Sequence, residues 1–183
     1  PESAVRVIAG LAKGRPLKAP GEGTRPMMDR VREALFSSLG ARVEGAAVLD
    51  LYAGSGSIGL EALSRGAERA VFVERARRAL AALRDNVAAV GLGGEIVRGD
   101  VGAYVQDGEE SFDLVFVDPP YDRRLASVEE VLGGVVCLLR AGGMVVVHRR
   151  AGTGVPEVPG LALADRRRYG DTEITRYEIE EDR

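Results

Sequence analysis

Asp118-Pro119-Pro120-Tyr121 is the stretch whose residue types most directly suggest chemistry. It follows the apolar run 112–117, so it stands where a strand leaves a sheet. Two prolines remove two backbone donors and fix the direction of exit. A carboxylate, an oriented carbonyl and an aromatic face are thereby brought together. An amine attached to a purine ring is a weak nucleophile, because its lone pair is conjugated with the ring. If Asp118 and the Pro119 carbonyl accept its N–H bonds, the nitrogen is drawn toward pyramidal geometry and the lone pair is exposed. Such a site works by alignment and by stabilising charge on nitrogen, and it requires no metal. Stacking on Tyr121 would contribute about 1–3 kcal/mol, which offsets much of the few kcal/mol needed to extrude a base. The plainer alternative is a rigid strand terminator followed by a surface turn.

A second constellation is the turn from Asp50 to Gly59, in which Gly54, Gly56 and Gly59 match the G-x-G-x-x-G spacing of nucleotide-binding turns. Glycine permits positive φ and close approach of a ligand to the backbone. The spacing alone does not separate a nicotinamide dinucleotide from S-adenosylmethionine. Neighbouring residues favour the latter. Asp50 precedes the turn, with Tyr52 inside it, and a carboxylate there suits a cationic amino-acid ligand. Glu74 ends the next apolar run, where it can accept from two ribose hydroxyls, a role common to both cofactors. Asp100, followed by Val101, ends the third run and can accept from an adenine amine. Solvated strand ends would account for Glu74 or Asp100 singly, less well for both in succession.

These positions need a sheet to hold them. Apolar periodicity predicts strands over 47–51, 70–74, 95–100, 112–118 and 143–148, and helices over 59–65, 77–90 and 128–139. The strands are short continuous apolar runs, as expected for parallel strands covered on both faces. The alternation implies an α/β, Rossmann-like, mostly parallel doubly wound sheet with right-handed crossovers. Ligands bind such sheets at the carboxyl edge, where all the residues above fall. Residues 161–168 and 172–179, flanking Tyr169-Gly170-Asp171, read instead as a C-terminal antiparallel hairpin. Ahead of the sheet, 5–9 and 15–19 flank a Gly/Lys turn as a small hairpin. Thr24-Arg25-Pro26 then reads as the start of a helix with Val31, Leu35 and Leu39 on one side. The expected division is an N-terminal extension over 1–40 and a cofactor-binding domain over 41–183.

The 183 residues, 45% hydrophobic and 29% charged, suit an ordinary globular protein. No apolar run nears the roughly 20 residues of a membrane span, and the first residues lack a secretory leader pattern. The single cysteine, Cys137, permits no internal disulfide and reads as a buried core thiol. A cytoplasmic monomer without membrane association is therefore expected. The net charge of −3 argues against a nucleic-acid partner, but residues 1–36 carry seven basic against four acidic side chains. A local basic face on an acidic body can still neutralise phosphates.

Taken together, the chain resembles the bacterial 16S rRNA (guanine-N2)-methyltransferases of the RsmD type, which are class I S-adenosylmethionine-dependent enzymes. The resemblance covers nearly the whole chain. It rests on Arg6-Val7-Ile8-Ala9-Gly10 with Lys13-Gly14-Arg15, on Thr24-Arg25-Pro26 with residues 29–36, on residues 50–59 and 118–121, and on Tyr169-Gly170-Asp171-Thr172. The N-terminal block is the family-specific part. The resemblance implies methylation of the exocyclic N2 amine of one guanine in 16S rRNA, within the small ribosomal subunit or its assembly intermediate. S-adenosylhomocysteine would be the product, and no metal is implied. It also implies that Arg6, Lys13, Arg15, Arg25, Arg30 and Arg32 engage RNA phosphate. Two departures stand out: Met27-Met28, where a threonine commonly follows Thr-Arg-Pro, and His148, where relatives often carry an acidic residue. A lone histidine reads as structural, so His148 has no part in the expected mechanism. The rival readings are an adenine-N6 or protein-amide methyltransferase, an NAD-dependent oxidoreductase that leaves residues 118–121 without a task, and a non-enzymatic RNA-binding module.

Overall fold

The computed structural model describes residues 5–21 and 27–180. Residues 5–17 fold back on themselves. The Leu17 N–H donates to the Val5 carbonyl (2.7 Å), Val7 N–H to Arg15 (3.0 Å) and Gly14 N–H to Val7 (2.8 Å). Arg6 and Pro16 form an antiparallel bridge, and Pro16, lacking an N–H, limits the ladder. Helix α1 (Asp29–Leu39) and a 3-10 turn lead into β1 (Ala47–Leu51), α2 (Ser57–Ser64), β2 (Arg69–Glu74), α3 (Arg77–Val90) and β3 (Glu95–Arg98). Then come α4 (Val101–Asp107), β4 (Phe112–Val117), α5 (Leu125–Val136), β5 (Leu139–Arg150), β6 (Leu161–Tyr169) and β7 (Thr172–Ile179). One seven-stranded sheet results, in the order β3-β2-β1-β4-β5-β7-β6. β1 to β5 are parallel, while β7 runs antiparallel to both β5 and β6. This is the Rossmann-like α/β sheet expected from the alternation, ending in the expected hairpin.

Successive strand residues point to opposite faces, and each face builds one core. On the first, Val48, Phe72, Phe116 and Val146 pack with Val7, Leu17, Met27, Val31, Leu35 and Phe36. On the second, Leu49, Val71, Val115 and Val145 pack with Val101, Val131 and Leu132. The N-terminal segment is thus built into the core of the sheet. Its polar anchor is the buried Glu61 of α2, whose carboxylate accepts from Ile8 N–H (2.8 Å), Ala9 N–H (3.1 Å) and Arg65 Nε (2.7 Å). Among the described residues no helix is long and apolar enough to cross a membrane.

Several elements differ from the periodicity. α2 begins at Ser57, α5 lies three residues ahead of the expected 128–139, and β5 extends beyond 143–148 at both ends. α4 has no counterpart in the sequence reading. It has seven residues, of which only Val101 and Val105 are buried, too few for an apolar stripe. α1 begins at Asp29, and Thr24-Arg25-Pro26, the expected helix start, lie outside the described residues. Cys137 is exposed at the end of α5, between the buried Val135 and Leu138. The expected core thiol is therefore a surface one.

Candidate active site

At the carboxyl edge of β1, β2 and β4 lies a cleft of about 590 Å³. Its walls are Tyr52–Ser55 after β1, Glu74–Ala76 after β2, Gly99–Val101 after β3 and residues 118–123 after β4, with Pro20 and Met27 from the N-terminal segment. The order of the sheet reverses between β1 and β4, the position where doubly wound sheets open a crevice.

The glycine turn is shaped by positive φ at Tyr52 (58°), Gly54 (58°) and Gly56 (83°). Left-handed backbone at a tyrosine costs about 1–3 kcal/mol and is found where surrounding structure imposes it. The three glycines serve different ends. A Cβ on Gly54 would meet nothing nearer than Pro20 Cβ at 4.0 Å, so it would occupy the cleft itself. A Cβ on Gly56 would come within 2.4 Å of Leu83 Cδ1, and one on Gly59 within 2.4 Å of Phe72 Cε1. Gly56 and Gly59 are therefore required by packing beneath the turn, not by ligand approach.

Asp50 is likewise corrected. Only 1% exposed and absent from the cleft wall, it stands under the turn, where its Oδ2 accepts from Gly59 N–H (2.9 Å). Burial pushes its carboxyl well above the usual carboxylate range. The Gly59 N–H opposes the shift, while the charges of Asp118 and Glu74 reinforce it. Asp50 braces the loop from beneath the cleft.

Glu74, Asp100 and Val101 do line the cleft. Glu74 accepts from Gly54 N–H (2.9 Å) on Oε2 and from Arg75 and Ala76 N–H (2.7 and 2.8 Å) on Oε1. Three backbone donors fix its orientation. Asp100 caps α4 through Ala103 N–H (3.3 Å) and meets Arg75 Nη1 at 3.1 Å.

Asp118 sits one residue beyond β4, with Pro119 buried behind it and Tyr121 39% exposed. Its Oδ1 lies 2.9 Å from His148 Nδ1, a contact that sequence reasoning missed. The clue was the parity of β4 and β5: Val117 registers with Val147, so the next positions, Asp118 and His148, fall side by side. The Tyr121 and His148 rings meet edge-on, 6.3 Å between centroids. The loop beyond is tied down by the buried Arg149, which donates to the carbonyls of Arg123, Thr153 and Gly154. Arg123 in turn lies over the Tyr52 ring at 5.6 Å, joining the two loops that flank the cleft. Among the described residues no cluster could hold a metal ion.

The basic residues of the N-terminal segment divide. Arg6, Lys13, Arg15 and Arg30 are exposed. Arg25 lies outside the described residues. Arg32 is fully buried, donating to the Arg6 carbonyl and to Asp29 (3.0 Å), with Glu61 at 3.8 Å. Burial lowers its pKa, and Asp29 and Glu61 oppose that shift. It is an internal cation and is withdrawn from the phosphate contacts.

The profile of the family described as conserved hypothetical protein 95 matches residues 5–178. The chain is 36% identical over 163 residues to the Escherichia coli K12 protein named ribosomal RNA small subunit methyltransferase D, covering 85% of this chain and 79% of that one. The Haemophilus influenzae protein of the same name is 39% identical over 128 residues, 67% of this chain and 66% of that one. Among solved structures, a hypothetical protein of Thermus thermophilus superposes with a TM-score of 0.84 at 35% identity, covering 96% of this chain and 99% of that one.

Proposed function

Because the chain belongs to the conserved hypothetical protein 95 family, that of the RsmD-type methyltransferases, we propose that it methylates the exocyclic N2 amine of one guanine in 16S rRNA, using S-adenosylmethionine. The observation that carries the chemistry is Asp118, held at the end of β4 on the wall of the same cleft that Gly54, Glu74 and Asp100 line. The cleft suits the cofactor: Gly54 leaves it open, and Glu74 presents an oriented carboxylate for a ribose diol. Asp100 and Val101 would flank the adenine. When bound, the cofactor supplies an electrophilic methyl group on a sulfonium. Asp118 and the Pro119 carbonyl accept the amine N–H bonds and turn its lone pair toward the cleft, and Tyr121 stacks on the base. Exposed Lys13, Arg15, Arg30 and Arg6 engage RNA phosphates around the extruded nucleotide. The names of the relatives support small-subunit ribosomal RNA as the substrate; guanine N2 rests on the family resemblance, since the cleft chemistry alone would equally serve adenine N6.

The deciding experiment is transfer of labelled methyl from S-adenosylmethionine to small subunits lacking the modification, followed by mapping of the labelled nucleotide. N2-methylguanine in 16S rRNA is expected; label on adenine or on protein would overturn the assignment. Asp118→Ala should lower kcat by about 10²–10³-fold, the scale for losing one oriented electrostatic group. Cofactor affinity, measured by calorimetry, should change little.

A further inference from the structure

His148 is the only histidine of the chain and is 4% exposed, on the sheet face that also carries Phe116 and Val146. Its two ring nitrogens have opposite surroundings. Nδ1 meets Asp118 Oδ1 at 2.9 Å, whereas Nε2 is buried with no hydrogen-bond partner among the described residues. A carboxylate only accepts, so the proton of the contact belongs to Nδ1. A proton on Nε2 would be a buried donor without an acceptor among the described residues, at the cost of its desolvation. The geometry thus assigns Nδ1–H as the donor of a directional hydrogen bond to Asp118.

We propose that His148 is the positioning residue of the site: its Nδ1–H holds Asp118 Oδ1 and leaves Oδ2 to receive the N–H of the substrate amine. This rests on the proposed amine methylation. Asp118 has a terminal torsion that is broad and intrinsically soft, and Pro119 fixes only its backbone. Without a partner, the carboxylate would sample orientations in which neither oxygen meets the amine. The neighbouring strands supply the rigidity: β5 lies between β4 and β7, with His148 registered against Ile174. Tyr121, edge-on to the same imidazole, is aligned by the same support.

Two measurements test this, one of them independent of activity. In the full chain labelled with ¹⁵N-histidine, the single imidazole should show protonated Nδ1 and unprotonated Nε2 at neutral pH. The reverse tautomer, with Nδ1 unprotonated, would overturn the proposal. In methyl transfer to small subunits, His148→Leu should lower kcat by about 10²-fold, as a small misplacement of a reacting group does, with KM for cofactor and subunit unchanged. His148→Asn, whose amide nitrogen falls near the Nδ1 position, should recover most of the rate. His148→Gln, which reaches instead toward Nε2, should not. A fully active Leu variant, or an Asn variant no better than Leu, would also overturn it. If the unaltered protein labels no guanine, the amine reading fails by itself, and the imidazole spectrum still decides whether His148 orients Asp118.

Discussion

Asp50, next to last in β1, has one oxygen on the Gly59 N–H and the other, Oδ1, buried without a partner among the described residues. Its carboxyl titrates above the ordinary range because burial disfavours the charge. The penalty on the fold is therefore absent below the unfolded carboxylate pKa and grows as pH rises through the higher folded value. Asp50→Asn keeps an acceptor for Gly59 and carries no charge. In denaturant titrations it should match the parent at acid pH and exceed it in stability at neutral pH; a constant difference across pH would contradict this account. At this scale the sequence was informative about chemistry and less so about reach. Glu74, Asp100 and Asp118 end apolar runs and were legible as cleft residues. Asp50 and Arg32 looked equally available, and nothing local distinguishes a polar side chain that lines a cleft from one that supports it.

At the level of elements, the glycine turn and α2 are joined from two sides. Gly59 lies against Phe72 of β2, and a methyl there would overlap the ring. Gly59→Ala should cost about 1–3 kcal/mol, the usual penalty of overpacking, as a lower urea midpoint with unchanged slope. Glu61 receives two backbone N–H groups from residues 8 and 9, and Arg65 and Arg32 besides. Glu61→Ala leaves Arg32 buried without that carboxylate and should cost about 3–5 kcal/mol. It should also expose residues 5–17 to limited proteolysis before the sheet itself is cut. Apart from α4, the order of strands and helices, the parallel sheet and the terminal hairpin were legible in the sequence, because apolar runs, helical spacing and turn residues are local properties. The Asp118–His148 pair did not, because it depends on the register between β4 and β5, which lie far apart in sequence.

For the whole molecule, the charge distribution sets the behaviour toward RNA. A body of net charge −3 carries exposed Lys13, Arg15 and Arg30 on a segment rooted in the sheet's core. Replacing any one by alanine should weaken RNA binding across sequences and reduce the slope of log affinity against log salt by about one. Arg32→Ala should instead lower stability, because its guanidinium is internal. Equal salt slopes for the parent and the three surface variants would remove the phosphate role. The placement of β7 has a further result, in the order of synthesis. Strands emerge in sequence, yet β5 is bordered by β7, and β6, made earlier, lies outside it. A nascent chain that has completed the cleft loops and Asp118 still lacks the wall beside His148. The strand that backs His148 is thus made after β6, and the sheet beside the imidazole is complete only once residues 172–179 have turned back into it.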